Sequence, residues 1–438
     1  MKPETIKESL DRVSAALEAS DIKANLLEEV GWSRDVEEKF FADGAAVLPR
    51  VSYPVDRTAL DGEAKKLGVV QASIVDDGAV GHFLRGVLQS NIDKCRLLLA
   101  TGTKDFGRVS VEVYGGARTA FFDLPLTNEH LATHLLERLA VHGWDETATT
   151  EDPTLDAPAM VKFLEERIAK KKAPVKVVLD PNCTSKAIAG MKRVRVRPDA
   201  TFTSWEAEGL YRHEVETHAY TALNGAAQEH AALLRSGGPR STPTQEGLAV
   251  FAELYHHALA VPRLRRLALR VKLVAMAEDG ASFLDVYRVL VRDEGVEPRD
   301  AYLDAARIFR GGPPEGGGPF TKDACYLAGL VHVHAFLAAF VRAGFRDECE
   351  MIVCGRFALD DIAALVELRG MGLLARPKYR PRWLREWSTL LPYFAVSSFL
   401  GGIDLSPVTK RYSEVIRLAN EARPADAARH LARGGPAR

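Results

Sequence analysis

The sequence predicts an α+β protein that is mostly helical and carries a small β-sheet. Apolar residues recur at helical spacing over residues 5–42 and again over 80–99. The segments 175–181 and 192–198 have the composition of short strands, and the second alternates basic residues with valine. Thr203 with Glu206 three residues later is a capping-box signature, which predicts that another helix begins there.

The first 145 residues are predicted to form an N-terminal α/β region. Within it, the alternating segment 108–115 follows a turn and predicts a strand. His130 and His134 are four residues apart, but no third metal ligand lies near them, so an exposed helical face is the better interpretation. The acidic segment 145–158 is rich in threonine and proline and is predicted to be a linker. A helix is predicted over 160–172.

The composition is that of a globular protein without a strong global charge. The chain has 438 residues, 27% of them charged, and a formal net charge of −1, so no global field favours nucleic acid or a membrane surface. The five cysteines are odd in number and lack C-x-x-C spacing, which predicts reduced thiols and a cytoplasmic location. The N-terminus does not read as a secretory signal, and no membrane span is predicted.

The candidate catalytic segment begins with the adjacent residues His213 and Glu214, and His218 lies four residues after that glutamate. Two imidazoles and a carboxylate are the ligands that a catalytic zinc ion takes from protein, and a neighbouring glutamate can act as base. The third ligand is open between Glu246, inside a QEGLA run, and His230. His256 and His257 fall much further along the chain.

The spacing of the two histidines makes a structural prediction. In the H-E-x-x-H motif the histidines are at i and i+4, whereas here they are at i and i+5. On a straight α-helix, five steps would leave the side chains about 140° apart around the axis. A π-bulge between Glu214 and His218 would return both imidazoles to one face, and such bulges occur at functional sites. Without it, these are ordinary helix histidines beside a solvated acidic pair.

Several motifs in order make the segment from about 176 to 340 similar to a known family. They read VVLDPNCTSKAIAGMKRVRVRP, YRHEVETHAYTALNGAAQ, TPTQEGLAVFAEL, MAEDGASFLDVYRVL and IFRGGPPEGGGPFTKDACYLAGL, with a weaker match in SVEVYGG near Tyr114. They resemble the QEGLA-motif proteins, whose animal members are microtubule-associated tyrosine carboxypeptidases, zinc enzymes that remove the C-terminal tyrosine of α-tubulin. The resemblance implies that His213, His218 and Glu246 are zinc ligands and that Glu214 is the catalytic base. It does not carry over the tubulin substrate.

A glycine-rich loop over 311–318 leads towards a predicted helix that begins near Lys322. Free N–H groups at a helix N-terminus, together with a lysine, make an anion site that suits the terminal carboxylate of a carboxypeptidase substrate. The motif match assigns Lys322 and Thr321 to substrate binding, while the loop itself is a candidate lid. Arg310, with Arg307, is a candidate clamp for the same carboxylate.

Further predictions concern the surroundings of the metal and the basic segments. Tyr326, four residues after Lys322, is a candidate catalytic donor to the oxyanion. Thr244 is predicted to cap the helix that carries Glu246. The basic residues of segment 192–198 are interpreted as the solvated face of a strand, and the alternative is an edge strand above the zinc site, onto which a substrate peptide adds. The basic and aromatic run over 374–387 is interpreted as a surface connection rather than a nucleic-acid site.

The resulting prediction is a zinc metallopeptidase of carboxypeptidase type, with Zn²⁺ as cofactor and a peptide or protein C-terminus as substrate. Its zinc-peptidase-like catalytic domain spans 159–390, followed by a C-terminal helical segment and tail over 391–438. No nucleic-acid or membrane partner is expected. The alternatives are a metal-binding regulatory protein without turnover, against which an intact Glu214 counts, and a zinc amidase on a non-peptide substrate.

Overall fold

The computed structural model describes residues 3–20, 26–140, 154–181, 183, 185–229, 233–415 and 417. In this part of the chain most residues are helical and three short strands form one sheet. The predicted mostly helical α+β fold is confirmed. The candidate ligand His230 lies outside the described residues.

The described residues before 141 form seven helices. They are α1 (Pro3–Glu18), α2 (Leu26–Glu29), α3 (Arg34–Ala42), α4 (Arg57–Ala72), α5 (Ala79–Leu99), α6 (Asp105–Tyr114) and α7 (Asn128–Ala140). The helix predicted over 80–99 is confirmed as α5, and the helical region over 5–42 is divided into α1, α2 and α3. His130 and His134 lie exposed on α7, as predicted.

The central part of the chain contains the sheet and the elements that form the site. These are α8 (Ala157–Lys171), β1 (Lys176–Leu179), β2 (Ala187–Ala189), β3 (Arg193–Val196), α9 (Ser204–Leu210), a π-helix (Tyr211–Ala219), α10 (Tyr220–Ala226), α11 (Leu233–Ser236), a 3₁₀ turn (Pro239–Ser241) and α12 (Thr242–Tyr255). The capping box predicted for Thr203 and Glu206 is present at the start of α9.

The remaining elements are helical. They are α13 (Val261–Glu278), α14 (Phe283–Arg292), α15 (Pro298–Phe309), a 3₁₀ turn (Thr321–Ala324), α16 (Cys325–Arg342), α17 (Arg346–Met351), a 3₁₀ turn (Leu359–Asp361), α18 (Ile362–Gly370), α19 (Arg382–Arg385), α20 (Trp387–Leu400) and α21 (Ser406–Arg411).

The strand predicted over 108–115 is wrong, because this segment lies in the helix α6. Its buried residues include Phe106, Val109, Ser110 and Tyr114, which follow the i, i+3, i+4 spacing of one helical face. Three valines in alternation suggested a strand, but burial against neighbouring elements outweighs the small helix penalty of β-branched residues.

The sheet has the order β1–β3–β2, so β3 is its central strand. Strand β1 pairs with β3 in parallel, and β2 pairs with β3 antiparallel. The prediction that 192–198 is an edge strand is therefore wrong. The edge nearest the π-helix is β2, which the sequence analysis did not identify.

Most of the predicted linker lies outside the described residues, which include its last residues, 154–158. Asp156 caps α8 by accepting a hydrogen bond from the backbone N–H of Ala159 at 2.8 Å, and Pro158 occupies the first turn. Proline is favoured there because the first N–H groups of a helix have no intrahelical partner. The helix predicted over 160–172 is confirmed and begins three residues earlier.

Hydrophobic packing crosses the predicted domain boundaries. One cluster joins Phe40 and Ala132 to residues of α13, α14 and α15. A second joins Leu10 and Phe83 to Leu365 of α18. The N-terminal helices therefore pack against the same core as the elements that carry the candidate site.

One helical stretch in the described residues, Thr321–Arg342, is long and apolar enough to cross a membrane by length and composition. A core helix can meet the same test. Val333, Leu337 and Val341 of this stretch pack with Leu248 and other residues in one buried cluster. The absence of a membrane span stays a prediction. All five cysteines are buried and free, as expected for reduced thiols.

Candidate functional site

The two motif histidines lie on a π-helix rather than on an α-helix. It spans Tyr211–Ala219, between α9 and α10. Within it, the Thr217 hydroxyl donates to the carbonyl of Arg212, five residues earlier, at 3.0 Å. The rings of His213 and His218 are 4.8 Å apart between centroids. The predicted π-bulge is therefore confirmed, and it is longer than a single turn.

Helix α12 brings Glu246 to the two histidines from a separate element. The helix begins at Thr242, with Ser241 at the N-cap and Pro243 in its first turn. The prediction that Thr244 caps this helix is wrong. Pro243 has no N–H that would need a partner in the first turn, so the helix can begin before Thr244. The Thr244 hydroxyl instead accepts a hydrogen bond from the Leu359 backbone N–H at 2.8 Å.

His213, His218 and Glu246 form a compact cluster whose candidate ligand atoms all lie within 4.8 Å of one another. Glu246 Oε2 is 3.4 Å from His213 Nε2 and 3.5 Å from His218 Nε2. Ligands about 2.0–2.1 Å from a tetrahedral zinc ion are roughly 3.4 Å apart, so this spacing fits. Glu246 Oε2 is also buried and has no hydrogen-bond donor among the described residues, which suits an atom that binds a cation.

The position of Glu253 was missed by the sequence analysis. Its Oε1 lies 2.6 Å from His213 Nδ1, and Arg263 contacts the same carboxylate at 3.3 and 3.4 Å. Burial alone would raise the pKa of Glu253, but Arg263 and His213 together lower it below its ordinary value. Such a carboxylate orients a metal-binding imidazole and fixes its tautomer. The spacing in the sequence could have indicated this role, because Glu253 follows Glu246 by seven residues and therefore lies on the same helical face.

Glu214 is half-buried beside the edge strand β2. Its Oε2 accepts a hydrogen bond from the backbone N–H of Ala189 at 2.6 Å. One oxygen of the candidate base is therefore fixed by the sheet. The strand that supplies this N–H is only three residues long, too short to show a clear strand pattern in the sequence.

Lys322 is joined to the cluster of His213, His218 and Glu246. Its Nζ donates to Glu246 Oε1 at 3.0 Å and lies 5.1 Å from the centroid of the Tyr326 ring. The side chain is 10% exposed. Burial would lower the pKa of Lys322, but Glu246 raises it above its ordinary value, so the ammonium group stays charged.

Thr321 contacts Ser110 of α6. It is completely buried, its hydroxyl lies 3.0 Å from that of Ser110, and its backbone N–H donates to the same serine at 2.8 Å. The contacts with Ser110 fasten the 3₁₀ turn to α6, and a contact between Thr321 and substrate stays a prediction.

The two candidate clamp arginines have different environments. Arg307 donates twice to Asp323, at 2.6 and 2.9 Å, and is therefore occupied. Arg310 makes no side-chain hydrogen bond or ion pair to any described residue, and its Nε is buried without a partner. Its guanidinium lies over the Phe320 ring at 5.4 Å. Burial lowers the pKa of Arg310 to about 10, and repulsion from Arg307 contributes.

Tyrosines complete the surroundings of these cations. The Tyr326 ring is 6.4 Å from the ring of His213 and nearly parallel to it. Burial first, and then the Glu246 charge, raise the pKa of Tyr326 to about 12, so its hydroxyl stays protonated. Tyr114 of α6 packs its ring edge against Phe320 at 5.5 Å, which brings the N-terminal region to the site.

The glycine-rich loop is held by an N-terminal residue. The Tyr53 hydroxyl accepts hydrogen bonds from the Gly311 N–H and from Trp32 Nε1, each at 2.9 Å. Gly311 has a φ of 85°, a conformation that favours glycine. The candidate lid is thus fastened at its first residue, and lid motion stays a hypothesis.

Comparison with known protein families gives a match over most of the chain. Residues 38–402 match the model of the family described as microtubule-associated tyrosine carboxypeptidase, which covers most of the chain. A search of curated proteins gives no significant match. The matched range includes every residue of the cluster and extends well beyond the motifs on which the resemblance was first noted.

Proposed function

The chain belongs to the microtubule-associated tyrosine carboxypeptidase family, and from this membership we propose that it is a zinc-dependent carboxypeptidase. It would release the C-terminal residue of a peptide or protein by hydrolysis of the last amide bond. The observation that carries the zinc assignment is the buried Glu246 Oε2, which faces both histidine Nε2 atoms at 3.4 and 3.5 Å and has no hydrogen-bond donor.

The residues present fit a catalytic zinc site. His213, His218 and Glu246 would hold the ion, which is the His₂Glu set of several zinc peptidases. When bound, zinc would polarise the scissile carbonyl and lower the pKa of a water molecule. A third protein ligand rather than a fourth leaves a coordination position open, as catalysis requires.

Glu214 is proposed as general base. Its Oε2 is held by the Ala189 N–H, so its other oxygen, Oε1, would accept a proton from the attacking water. The oxygen of that water forms a bond to the carbonyl carbon, and the C–N bond then breaks as Glu214 passes the proton to the departing amine. The neighbouring β2 N–H supports this role because it restricts rotation of the carboxylate.

Tyr326 is proposed to stabilise the transition state. Its raised pKa keeps a hydroxyl proton available for donation to the carbonyl oxygen as negative charge develops there. Its ring lies beside His213, so the hydroxyl belongs to the same part of the site.

Arg310 supports the choice of an exopeptidase. Within the described residues, each of the other cations around Tyr326 named above has a carboxylate partner: Lys322 has Glu246, Arg307 has Asp323 and Arg263 has Glu253. The guanidinium is partly buried, and its Nε has no partner among the described residues, so the terminal carboxylate of a substrate would satisfy it. The proposed substrate is therefore a free peptide or protein C-terminus in the cytoplasm.

The proposal is tested by measuring bound zinc and the release of a single C-terminal residue from a panel of peptides. Wild type should contain about one zinc per chain and cleave at least one peptide. Glu246→Ala should lose zinc, whereas Glu214→Gln should keep zinc and lose turnover. His134→Ala, which changes an exposed histidine of α7, is the matched control and should do neither. Zinc-free wild type, or cleavage that persists in Glu214→Gln, would contradict the proposal.

A further inference from the structure

The two carboxylate oxygens of Glu246 have different partners. Oε2 faces the imidazole nitrogens of His213 and His218 and receives no hydrogen bond. Oε1 accepts a hydrogen bond from Lys322 Nζ at 3.0 Å. The carboxylate thus has one oxygen available to a cation and the other already bound.

The position of Lys322 is itself restricted. Its ammonium group lies between the Glu246 carboxylate and the face of the Tyr326 ring, and the side chain is 10% exposed. Turning away to bind a substrate would leave a buried carboxylate oxygen without its donor. The cost of such a loss is high for charged groups.

The backbones that carry Glu246 and Lys322 are also in direct contact. A Cβ added at Gly247 would lie 2.2 Å from the carbonyl carbon of Gly329, and one added at Gly329 would lie 2.0 Å from the oxygen of Pro243. Gly247 directly follows Glu246 on α12. Gly329 lies on α16, seven residues after Lys322, which is in the 3₁₀ turn that leads into α16. Because the contacts are between backbones, no side chain can adjust, and the two helices cross at a fixed separation.

We propose that Lys322 is a positioning residue for Glu246, which it holds as a ligand through Oε2 alone, and not a receptor for the substrate carboxylate. This inference rests on the proposed metal site. If Lys322 only substituted for a cation, its Nζ would lie beside Oε2 and the two imidazoles. It contacts the opposite oxygen, where it can remain when a metal is bound.

The expected consequence concerns metal affinity. A carboxylate ligand without this support can rotate, and its free oxygen loses a charged donor. Changes to groups that support a metal ligand in this way typically weaken metal binding about 10- to 100-fold. Loss of a substrate receptor would instead raise KM and leave metal affinity unchanged.

The test is a zinc titration of the full-length apoprotein in competition with a fluorescent chelator. Lys322→Met, which keeps the chain length and removes the charge, should weaken zinc binding about 10- to 100-fold. Lys322→Arg keeps a charged donor and should recover part of the affinity. Arg310→Met is the matched control, because it removes a nearby cation that does not touch Glu246, and it should bind zinc as wild type does.

The result that would overturn the inference is zinc binding by Lys322→Met that equals or exceeds that of wild type, together with a raised KM. Thermal unfolding of each apoprotein shows whether the variants fold. If Lys322→Met does not fold, Lys322→Gln replaces it, with the same expected loss and the same contradicting result. Failure of the proposed function is distinguishable, because wild type itself would then lack zinc or fail to release a C-terminal residue.

Discussion

His213 Nδ1 lies 2.6 Å from Glu253 Oε1, while its Nε2 lies 3.4 Å from Glu246 Oε2, so a single imidazole connects the π-helix to two positions on α12. The Glu253 contact assigns the proton to Nδ1 and leaves the Nε2 lone pair for a metal. Two turns of α12 separate the two glutamates. The direction of α12 relative to the π-helix therefore determines the orientation of a metal ligand.

Glu253→Gln should weaken zinc binding about 10- to 100-fold, because the neutral amide supports the imidazole less well and leaves Arg263 without its carboxylate. Competition with a chelator measures the change. Glu367→Gln, at an exposed position of α18, is the matched control and should leave affinity unchanged. Equal zinc affinity in Glu253→Gln and wild type would show that this contact does not position His213.

The π-helix could be predicted from the sequence because it is the local geometry that places His213 and His218 on one face, where both could bind the same metal. Histidines at i and i+5 cannot meet on an α-helix, and the adjacent glutamate made a shared metal the more economical interpretation. The helices at 80–99 and 160–172 also followed from local periodicity and capping. Segment 108–115 did not, since alternating valines fit a strand and a helical face equally well.

Other parts of the site depend on contacts between distant segments. The Lys322–Glu246 pair joins residues 76 apart, and the His213–Glu253 pair joins residues 40 apart. No local pattern specifies such pairs. Arg310 has no partner among the described residues, and Asp323 is instead bound by Arg307. This arrangement also depends on the tertiary structure.

Thr217→Val should lower the free energy of unfolding of the apoprotein by about 1 kcal/mol. Valine has nearly the shape of threonine but removes the hydroxyl that donates to the Arg212 carbonyl within the π-helix. Urea denaturation measures the difference. Thr58→Val, at an exposed position of α4, should change stability by less than about 0.5 kcal/mol. A Thr217→Val variant as stable as wild type would mean that the π-helix does not depend on this bond.

Gly329→Ala should lower the free energy of unfolding by about 1–3 kcal/mol and weaken zinc binding, because the added Cβ forces α16 away from α12. Gly68→Ala is the matched control. It lies inside α4 with no atom within 4 Å of the added Cβ, and it should stabilise the protein by roughly 0.5–1 kcal/mol. Unchanged stability and zinc affinity in Gly329→Ala would contradict the close crossing of the two helices.

Arg310→Met should lower kcat/KM roughly 10- to 100-fold for peptides with a free C-terminal carboxylate, mainly through KM, since a charged hydrogen bond contributes about 1.5–3 kcal/mol. Bound zinc should stay near one per chain. Stability should not fall, because Arg310 forms no ion pair with any described residue that the change could break. Peptide acids and peptide amides should be compared in steady-state assays. If wild type and Arg310→Met distinguish peptide acids from peptide amides equally well, another group binds the carboxylate.

Asp323→Asn should lower the free energy of unfolding at pH 7 by about 3–5 kcal/mol, because it leaves Arg307 and Arg270 without their shared carboxylate. Burial would raise the pKa of Asp323, but these two arginines hold it well below its ordinary value of 3.8. Its contribution is therefore complete above the unfolded-state pKa and is lost as the pH falls below about 4 towards the lower folded-state pKa. The stability difference between wild type and Asp323→Asn should accordingly narrow between pH 4 and pH 2. Urea denaturation at intervals from pH 7 to pH 2 measures it, and a difference that stays constant would contradict the proposed origin of the shift.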